Sequence, residues 1–450
     1  MENPGKKAVY IKTFGCQMNE RDSQAMENRL LREGYAVAVR QEDADLILFN
    51  TCTIRDKAYQ KAMSDIGRSA VHKKTRGAKI GICGCVATQS KDALLTRFRH
   101  VDFVLGPDHI AELPMIVAEA SAGSRSAQAD HVDDPGKYVF IDGASKESIA
   151  TASAFVTIMK GCNYACSYCI VPSVRGKEVC RPADDILAEV KQLVERGVKE
   201  VTLLGQNVAD YKALPEMSEG QPRMKLGWLV RYLSSRSSIH RLRFTSPHPR
   251  DIDDDLIAAY RDETVLCDHI HLPVQSGSNR VLKAMRRRYT RERYLDLVDK
   301  LRTARPGIAI TTDMIVGFPT ETEAEFEESM DLIERVQFDQ IYAFAYSPRP
   351  GTHAATIFAD DVPVTDKQRR LSALFDLERT CARQKNEACV GETKHVLVTS
   401  IDPKKPGYYT GRSSDNRIVN FPSEINCIGN IVPVHITKAR GHSLTGEWKP

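Results

Sequence analysis

Six short apolar runs recur between residues 155 and 346: Phe155 to Met159, Glu200 to Leu204, Arg241 to Thr245, His269 to Val274, Ile308 to Val316 and Gln340 to Tyr346. Stretches with helical periodicity follow them, as in Asp184 to Arg196 and Glu323 to Val336. A short apolar strand repeatedly followed by an amphipathic helix buries both faces of a sheet when its strands run parallel. The repeat therefore predicts an α/β chain whose centre is a partial (βα)6 barrel, open because six units fall short of the roughly eight that close one. On such a scaffold function belongs at the carboxyl ends of the strands.

Two other regions flank this repeat. From Ala8 to about Ile116, the apolar runs Ala8 to Thr13, Asp45 to Asn50 and Lys79 to Cys83 alternate with amphipathic stretches such as Asn19 to Glu33, which predicts an open parallel α/β domain. Residues from about Ser121 to Lys146 are rich in Ser, Ala, Asp and Gly and read as a surface linker. From about Cys389 to Pro450, the segments Lys394 to Ser400, Gly407 to Arg412, Arg417 to Phe421 and Asn430 to Lys438 are β-like, predicting a small all-β barrel. The expected domains are thus 8–120, a linker at 121–146, 147–385 and 386–450. From Ala388 to Pro450 there are eight Lys or Arg against five Asp or Glu, with Tyr408, Tyr409, Phe421 and Trp448 interspersed. That combination suits RNA contact, with Arg412 as a candidate, and equally an ordinary solvated β-domain.

The net charge of +4 excludes a histone-like polycation, and no stretch approaches the roughly 18 apolar residues of a membrane span. Met1 to Lys7 is polar, with no apolar core after it, so a cytoplasmic protein is expected. Twelve cysteines in a reducing compartment call for a metal or redox reading. Cys162, Cys166 and Cys169 follow the first barrel strand in a C-x3-C-x2-C spacing. Three thiolates within eight residues, with no fourth close by in a ferredoxin rhythm, can hold a cubane cluster and leave one iron open. A zinc site completed by a remote Cys or His is the alternative. Cys16, Cys52 and Cys85 form a second set, each after an expected strand of the N-terminal domain, so they would meet at the ligand-binding edge of a parallel sheet. A second iron–sulfur cluster, a zinc site, or unrelated buried cysteines all fit that placement. Cys83 lies on the strand itself and is left out as a ligand. Cys267, Cys381, Cys389 and Cys427 lack metal-like spacing and read as packing residues, while an accessory role for Cys180 stays open.

The C-x3-C-x2-C motif at the start of a βα barrel resembles the radical S-adenosylmethionine superfamily. With the second triad and the C-terminal β-domain, the chain resembles the methylthiotransferases nearly end to end: a cluster domain, a radical barrel and a TRAM domain. Thr13 to Glu20 (TFGCQMNE), His271 to Ser278 (HLPVQSGS) and Tyr346 to Gly351 (YSPRPG) look most like the type that acts on isopentenylated adenosine in tRNA. The resemblance implies S-adenosylmethionine and two [4Fe-4S] clusters, one on Cys162, Cys166 and Cys169 and an auxiliary one on Cys16, Cys52 and Cys85. In the implied mechanism one S-adenosylmethionine methylates a sulfur held at the auxiliary cluster. A second is cleaved reductively to a 5′-deoxyadenosyl radical, which activates C2 of the adenine for methylthio transfer.

The resemblance also places Tyr168 near the adenine of the cofactor. Gly205, Gln206 and Asn207 fall where many members carry a Gly-Gly-Glu methionine-binding motif. Ser246, Gln275, Ser276 and Asp313, at later strand ends, are candidates for cofactor or substrate contact, and turn or capping residues are the alternative reading. The implied partners are the anticodon stem-loop of tRNA, an electron donor such as flavodoxin or ferredoxin, and a sulfur donor. A monomer with no membrane partner is expected. Between Arg280 and Arg305 stand ten Lys or Arg against three Asp or Glu, and Arg286, Arg287 and Arg288 near the barrel mouth are candidates for phosphate contact. A solvated helix face would produce the same count. Sister enzymes that act on threonylcarbamoyl-adenosine in tRNA or on an aspartate of a ribosomal protein share the six cysteines. A non-catalytic iron–sulfur RNA-binding protein is the alternative from another class.

Overall fold

A computed structural model describes residues 6–54, 56–134, 136–141, 152–212, 224–403 and 405–449. They form two compact units. The first contains the chain up to Ile141 with Phe155–Tyr164 and Ile170–Arg181, and the second contains Ala152–Ala154, Ala165–Cys169 and the chain from Pro182 onward.

The first unit is built on six strands, β1 (Ala8–Thr13), β2 (Ala36–Val37), β3 (Leu46–Thr51), β4 (Lys79–Gly84), β5 (Phe103–Leu105) and β6 (Ser126–Gln128). They pair in parallel in the order β2-β1-β3-β4-β5-β6. Strand β3 is buried at every position because helices cover both faces of the sheet. Its alternate side chains enter two cores, Ile47 and Phe49 beside Ile80 and Ile82, and Leu46 and Leu48 beside Leu30 and Phe103. Strand β6 lies inside the stretch expected as a linker. Three residues are too few to show a period, and Ser126–Gln128 is a strand because the edge of β5 is there to pair with it. The chain then enters β7 (Ser153–Thr157), which starts in the second unit and ends in the first. An antiparallel ribbon of β8 (Met159–Lys160) and β9 (Val179–Cys180) completes the first unit.

In the second unit the central strands are β10 (Glu200–Leu204), β11 (Arg241–Phe244), β12 (His269–His271), β13 (Ala309–Val316) and β14 (Gln340–Ala345). All six expected barrel strands are present, arranged as two parallel sheets in the orders β11-β10-β7 and β12-β13-β14. The start of β7 is tied in by Lys199 and Glu200, whose N–H groups donate to Ala152. Residues 265–267 join the two sheets: Leu242 N–H donates to Val265 and Cys267 N–H to Leu242, just ahead of β12. The result is the open α/β arrangement expected of six units.

The C-terminal strands β15 (Thr393–Ile401), β16 (Tyr408–Ser413), β17 (Ile418–Pro422), β18 (Ile431–Arg440) and β19 (Ser443–Glu447) close into a barrel in the order β15-β16-β17-β19-β18. Closure leaves no unpaired edge. Val396, Val398, Val419, Phe421, Val434 and Ile436 fill its interior. Period-2 alternation on β11 puts Arg241 and Arg243 on one face, and both reach this barrel. Arg243 Nη2 donates to Ser413 O at 2.6 Å, and Arg241 donates to His395 O at 2.6 Å and Arg412 O at 3.0 Å. Glu200 balances the pair, with Oε1 2.9 Å from Arg243 Nε. Because all three side chains are buried, removing one partner strands a charge. Arg243→Ala is expected to cost about 3–5 kcal/mol in denaturant unfolding and to make the C-terminal barrel an early target of limited proteolysis. No helix among the described residues is long and apolar enough to cross a membrane.

Candidate functional site

Cys16, Cys52 and Cys85 stand just beyond the carboxyl ends of β1, β3 and β4, three neighbouring strands, so residues far apart in sequence share one sheet edge. Cys16 caps the helix Gln17–Arg32, and Cys85 opens the helix Cys85–Ser90. Two glycines let these turns approach. Gly84, at φ +88°, lies where a Cβ would fall 2.5 Å from Thr51 O. Gly15, at φ +110°, lies where a Cβ would fall 2.3 Å from Cys52 Cβ and 2.8 Å from its Sγ. Gly15→Ala is therefore expected to displace Cys52, and the iron retained by the N-terminal triad after anaerobic reconstitution should fall accordingly.

Cys52 and Cys85 are buried and Cys16 is half-buried. Burial pushes the Cys85 thiol up to about 11; the Arg175 guanidinium opposes the rise, and the charges of Cys16 and Cys52 add to it. Neighbouring thiolates repel one another until a cation joins them, and coordination to iron deprotonates a thiol outright. Arg175 Nε already donates to Cys85 Sγ at 3.3 Å. This all-sulfur donor set with an adjacent cation fits an iron–sulfur cluster. Cys83 is turned into the hydrophobic core beside Leu48 and Phe103.

Of the other triad, Cys162 lies in the first unit, where its N–H donates to Gly176 O at 3.2 Å and its Sγ accepts from Tyr164 N–H at 3.4 Å. Cys166 and Cys169 lie in the second unit. Their turn is fastened by the buried Ser167, which donates from N to Met285 O at 3.0 Å and from Oγ to Ala284 O at 2.8 Å, and accepts from Ala354 N–H at 2.6 Å. Arg287 Nη1 donates to Cys166 Sγ at 3.6 Å. Tyr168 packs beside Val281, Met285, Phe318 and Tyr346. All three thiols are half-exposed. None of the twelve cysteines forms a disulfide. Among the described residues no three His, Cys, Asp or Glu side chains are gathered as they would be on a single ion.

The remaining candidates separate by burial. Gln206 is half-buried just beyond β10, Gly205 is buried, and Ser246 is exposed in a left-handed turn at φ +60°; Asp313, expected at a strand end, is half-buried in the interior of β13, paired with Tyr342. Asn207 is buried and joins two loops, donating to Asp251 Oδ2 at 2.7 Å and accepting from His248 N–H at 2.8 Å. Gln275 carries main-chain bonds to β13, donating to Asp313 O and accepting from Ile315 N–H, each at 2.9 Å. Ser276 is fully buried and accepts from Ser278 N–H at 3.2 Å, so it caps a turn and offers no free surface.

Arg287 is a correction to the expected phosphate surface. It is 5% exposed, and besides Cys166 it binds Pro273 O at 2.7 Å and Tyr289 Oη at 3.2 Å. Its neighbours Arg286 and Arg288 are exposed, as is Arg412. The surplus of positive charge along 280–305 is also smaller in space than in sequence. Arg280, Arg291 and Arg305 pair with Glu325, Asp331 and Asp268, acids that lie outside that stretch.

Four features escaped sequence reasoning. Arg175 is 90 residues from Cys85, so no spacing betrays it. Asn19 stood in plain view, three residues after Cys16 on the first turn of its helix. His271 Nε2 lies 3.3 Å from Asp313 Oδ2, a pairing across β12 and β13 that alternation alone could suggest. Tyr342 and Phe344 stay about 40% exposed on the same face of β14, in register with Asp313 and Ile315. Two adjacent aromatic rings on a strand would ordinarily be core.

Comparison with known proteins decides the family. The tRNA-2-methylthio-N(6)-dimethylallyladenosine synthase of Alkalilimnicola ehrlichii is 45% identical over 440 residues, covering 98% of this chain and 97% of the relative. The enzyme of the same name from Anaeromyxobacter dehalogenans is 46% identical over 447 residues, covering 98% and 94%. The chain belongs to the tRNA-2-methylthio-N(6)-dimethylallyladenosine synthase family. Family models agree with that placement: the Radical SAM superfamily matches residues 156–333, the uncharacterized protein family UPF0004 matches 8–106 and the TRAM domain matches 387–449. Membership of the tRNA-2-methylthio-N(6)-dimethylallyladenosine synthase family therefore carries with it the [4Fe-4S] cluster and S-adenosylmethionine of the radical superfamily. Among solved structures, the radical S-adenosylmethionine methyltransferase TsrM from Kitasatospora setae, with cobalamin and a [4Fe-4S] cluster bound, matches with a TM-score of 0.57 at 14% identity. It covers 90% of this chain and 80% of that one, a likeness of fold.

Proposed function

We propose that this chain transfers a methylthio group to C2 of N6-isopentenyladenosine next to the anticodon of tRNA. The observation that carries the reading is full-length similarity at 45% to enzymes of that name, in a chain that has both cysteine triads. Cys162, Cys166 and Cys169 hold the radical cluster, and Cys16, Cys52 and Cys85 hold the auxiliary one. When bound, these clusters supply the electron that cleaves S-adenosylmethionine to its 5′-deoxyadenosyl radical and the site at which sulfur is held for methylation.

The chain's own residues bind and orient. Tyr168, Gly205, Gln206 and Asn207 border the cofactor, with Ser246 and Gln275 in the turns after later strands and Asp313 within β13. Arg287 holds Cys166 to the turn after β12, which keeps that ligand in place as the cofactor enters and leaves. The exposed rings of Tyr342 and Phe344 offer the extruded base a stacking surface, the usual way a protein holds an unpaired RNA base. Arg286, Arg288 and Arg412 contact phosphate, and the C-terminal barrel, at 386–450, binds the stem-loop. The cluster domain runs from 8 through β6, beyond the expected end at 120, and the radical barrel spans 147–385.

The test is an anaerobic assay of the reconstituted protein with S-adenosylmethionine, reductant and sulfide. Isopentenylated tRNA, threonylcarbamoylated tRNA and the ribosomal protein are offered separately, and products are read by mass spectrometry. Methylthiolation of the isopentenylated tRNA alone is the expected result, and product on either other substrate would overturn the substrate assignment.

A further inference from the structure

The N-terminal triad is assembled from three turns far apart in sequence, and two buried side chains connect all three. Asn19 Nδ2 donates to Phe14 O at 2.8 Å and to Thr51 O at 2.9 Å. Phe14 lies two residues before Cys16, and Thr51 immediately precedes Cys52. Asn19 Oδ1 accepts from Arg175 Nη2 at 2.8 Å, and Arg175 Nε donates to Cys85 Sγ at 3.3 Å. Asp22 Oδ2, 2.7 Å from Arg175 Nη2, supplies the counter-charge. A single chain of hydrogen bonds thus runs from the Cys16 and Cys52 turns through one carboxamide and one guanidinium to the third sulfur.

Neither residue serves stability well in this place. Asparagine is a poor helix former, and a guanidinium taken out of water costs several kcal/mol before its partners offset it. Asn19 is fully buried and Arg175 is 6% exposed. Only the planar fork of arginine can reach Asn19, Asp22 and a sulfur at once; an ammonium keeps the charge and loses the fork.

We propose that Asn19 and Arg175 are positioning residues for the cluster of Cys16, Cys52 and Cys85, Asn19 setting the spacing of the turns and Arg175 holding a fixed positive charge against the Cys85 ligand. The inference rests on the two-cluster reading above. Donation to a ligand sulfur by a cation favours the more negative, reduced cluster, so Arg175 raises its reduction potential. Asn19 acts on retention, because outer residues that orient ligands typically govern metal affinity by 10–100-fold.

The test uses full-length chains in which Cys162, Cys166 and Cys169 are all replaced by alanine, so that every iron signal comes from the N-terminal triad. After reconstitution, iron and sulfide content, the electron paramagnetic resonance spectrum of the reduced state, and the midpoint potential are measured. Arg175→Gln is expected to lower the potential and change the spectrum, whereas Arg175→Lys should hold the potential near that of the parent while still changing the spectrum. Asn19→Ala should leave the potential near the parent's and lose iron to a chelator about tenfold faster. Should Arg175→Gln fail to fold with Asp22 left alone, Arg175→Lys and Asn19→Ala carry the test. Loaded variants with the parent's potential, spectrum and iron retention would overturn the inference and leave the two-cluster reading standing. A parent chain that holds no iron would instead overturn the two-cluster reading, and this inference with it.

Discussion

Cys166→Ala is expected to reduce both 5′-deoxyadenosine release and methylthiolated tRNA to background. A cubane held by three thiolates already has one open iron, and removing a second ligand leaves half of its irons unheld by protein. The turn offers no substitute: Ser167, next to Cys166, is committed to Ala284 and Met285, and Arg287, 3.6 Å from the sulfur, is a donor only. The substitution should not disturb folding, since the side chain is half-exposed. Anaerobic turnover with S-adenosylmethionine and dithionite, read by liquid chromatography and mass spectrometry, checks both products in one experiment. Normal 5′-deoxyadenosine release by Cys166→Ala would remove Cys166 from the cluster.

Cys52→Ala is expected to separate the two chemistries. Cleavage of S-adenosylmethionine should continue, uncoupled from product, while methylthio transfer is lost. Cys52 is 1% exposed, so its sulfur leaves a small void whose cost, on the order of 1 kcal/mol, is minor against a typical stability of about 5–15 kcal/mol. The N-terminal triad loses one of three ligands, whereas Cys162, Cys166 and Cys169 keep theirs. Iron content should fall by about half, and 5′-deoxyadenosine should persist with no methylthiolated tRNA. If product persisted, the auxiliary cluster would not be on Cys52.

These two substitutions were legible in the sequence because both depend on spacing along the chain. Cys162, Cys166 and Cys169 are near neighbours by covalent connection, and Cys16, Cys52 and Cys85 each follow an apolar run that hydrophobic period identifies as a strand. Parallel strands align their carboxyl ends, so the meeting of the second triad follows from the pattern. Less legible were the elements whose structure is imposed by a neighbour. Strand β6 has only three residues and exists as an edge partner of β5, and β19 completes the C-terminal barrel through pairing with β17 and β18.

Charge shows the same division at the level of single side chains. A run of basic residues along 280–305 says how many positive charges are present, and nothing about which acids meet them. Arg286 and Arg288 remain exposed, while Arg287 between them turns inward to Cys166, a difference set by the left-handed backbone at residues 286 and 288 and by the carbonyl waiting at Pro273. Asn19 and Arg175 belong to the same category. Strand and helix periods and the order of the domains are local or additive properties, and the sequence by itself determined them. Which cation faces which sulfur, which arginine is withdrawn from the surface, and which carbonyls fasten the cysteine turns depend on contacts between residues tens to hundreds of positions apart. Those contacts are settled only when packing places the groups within hydrogen-bonding reach, and tertiary structure alone decided them.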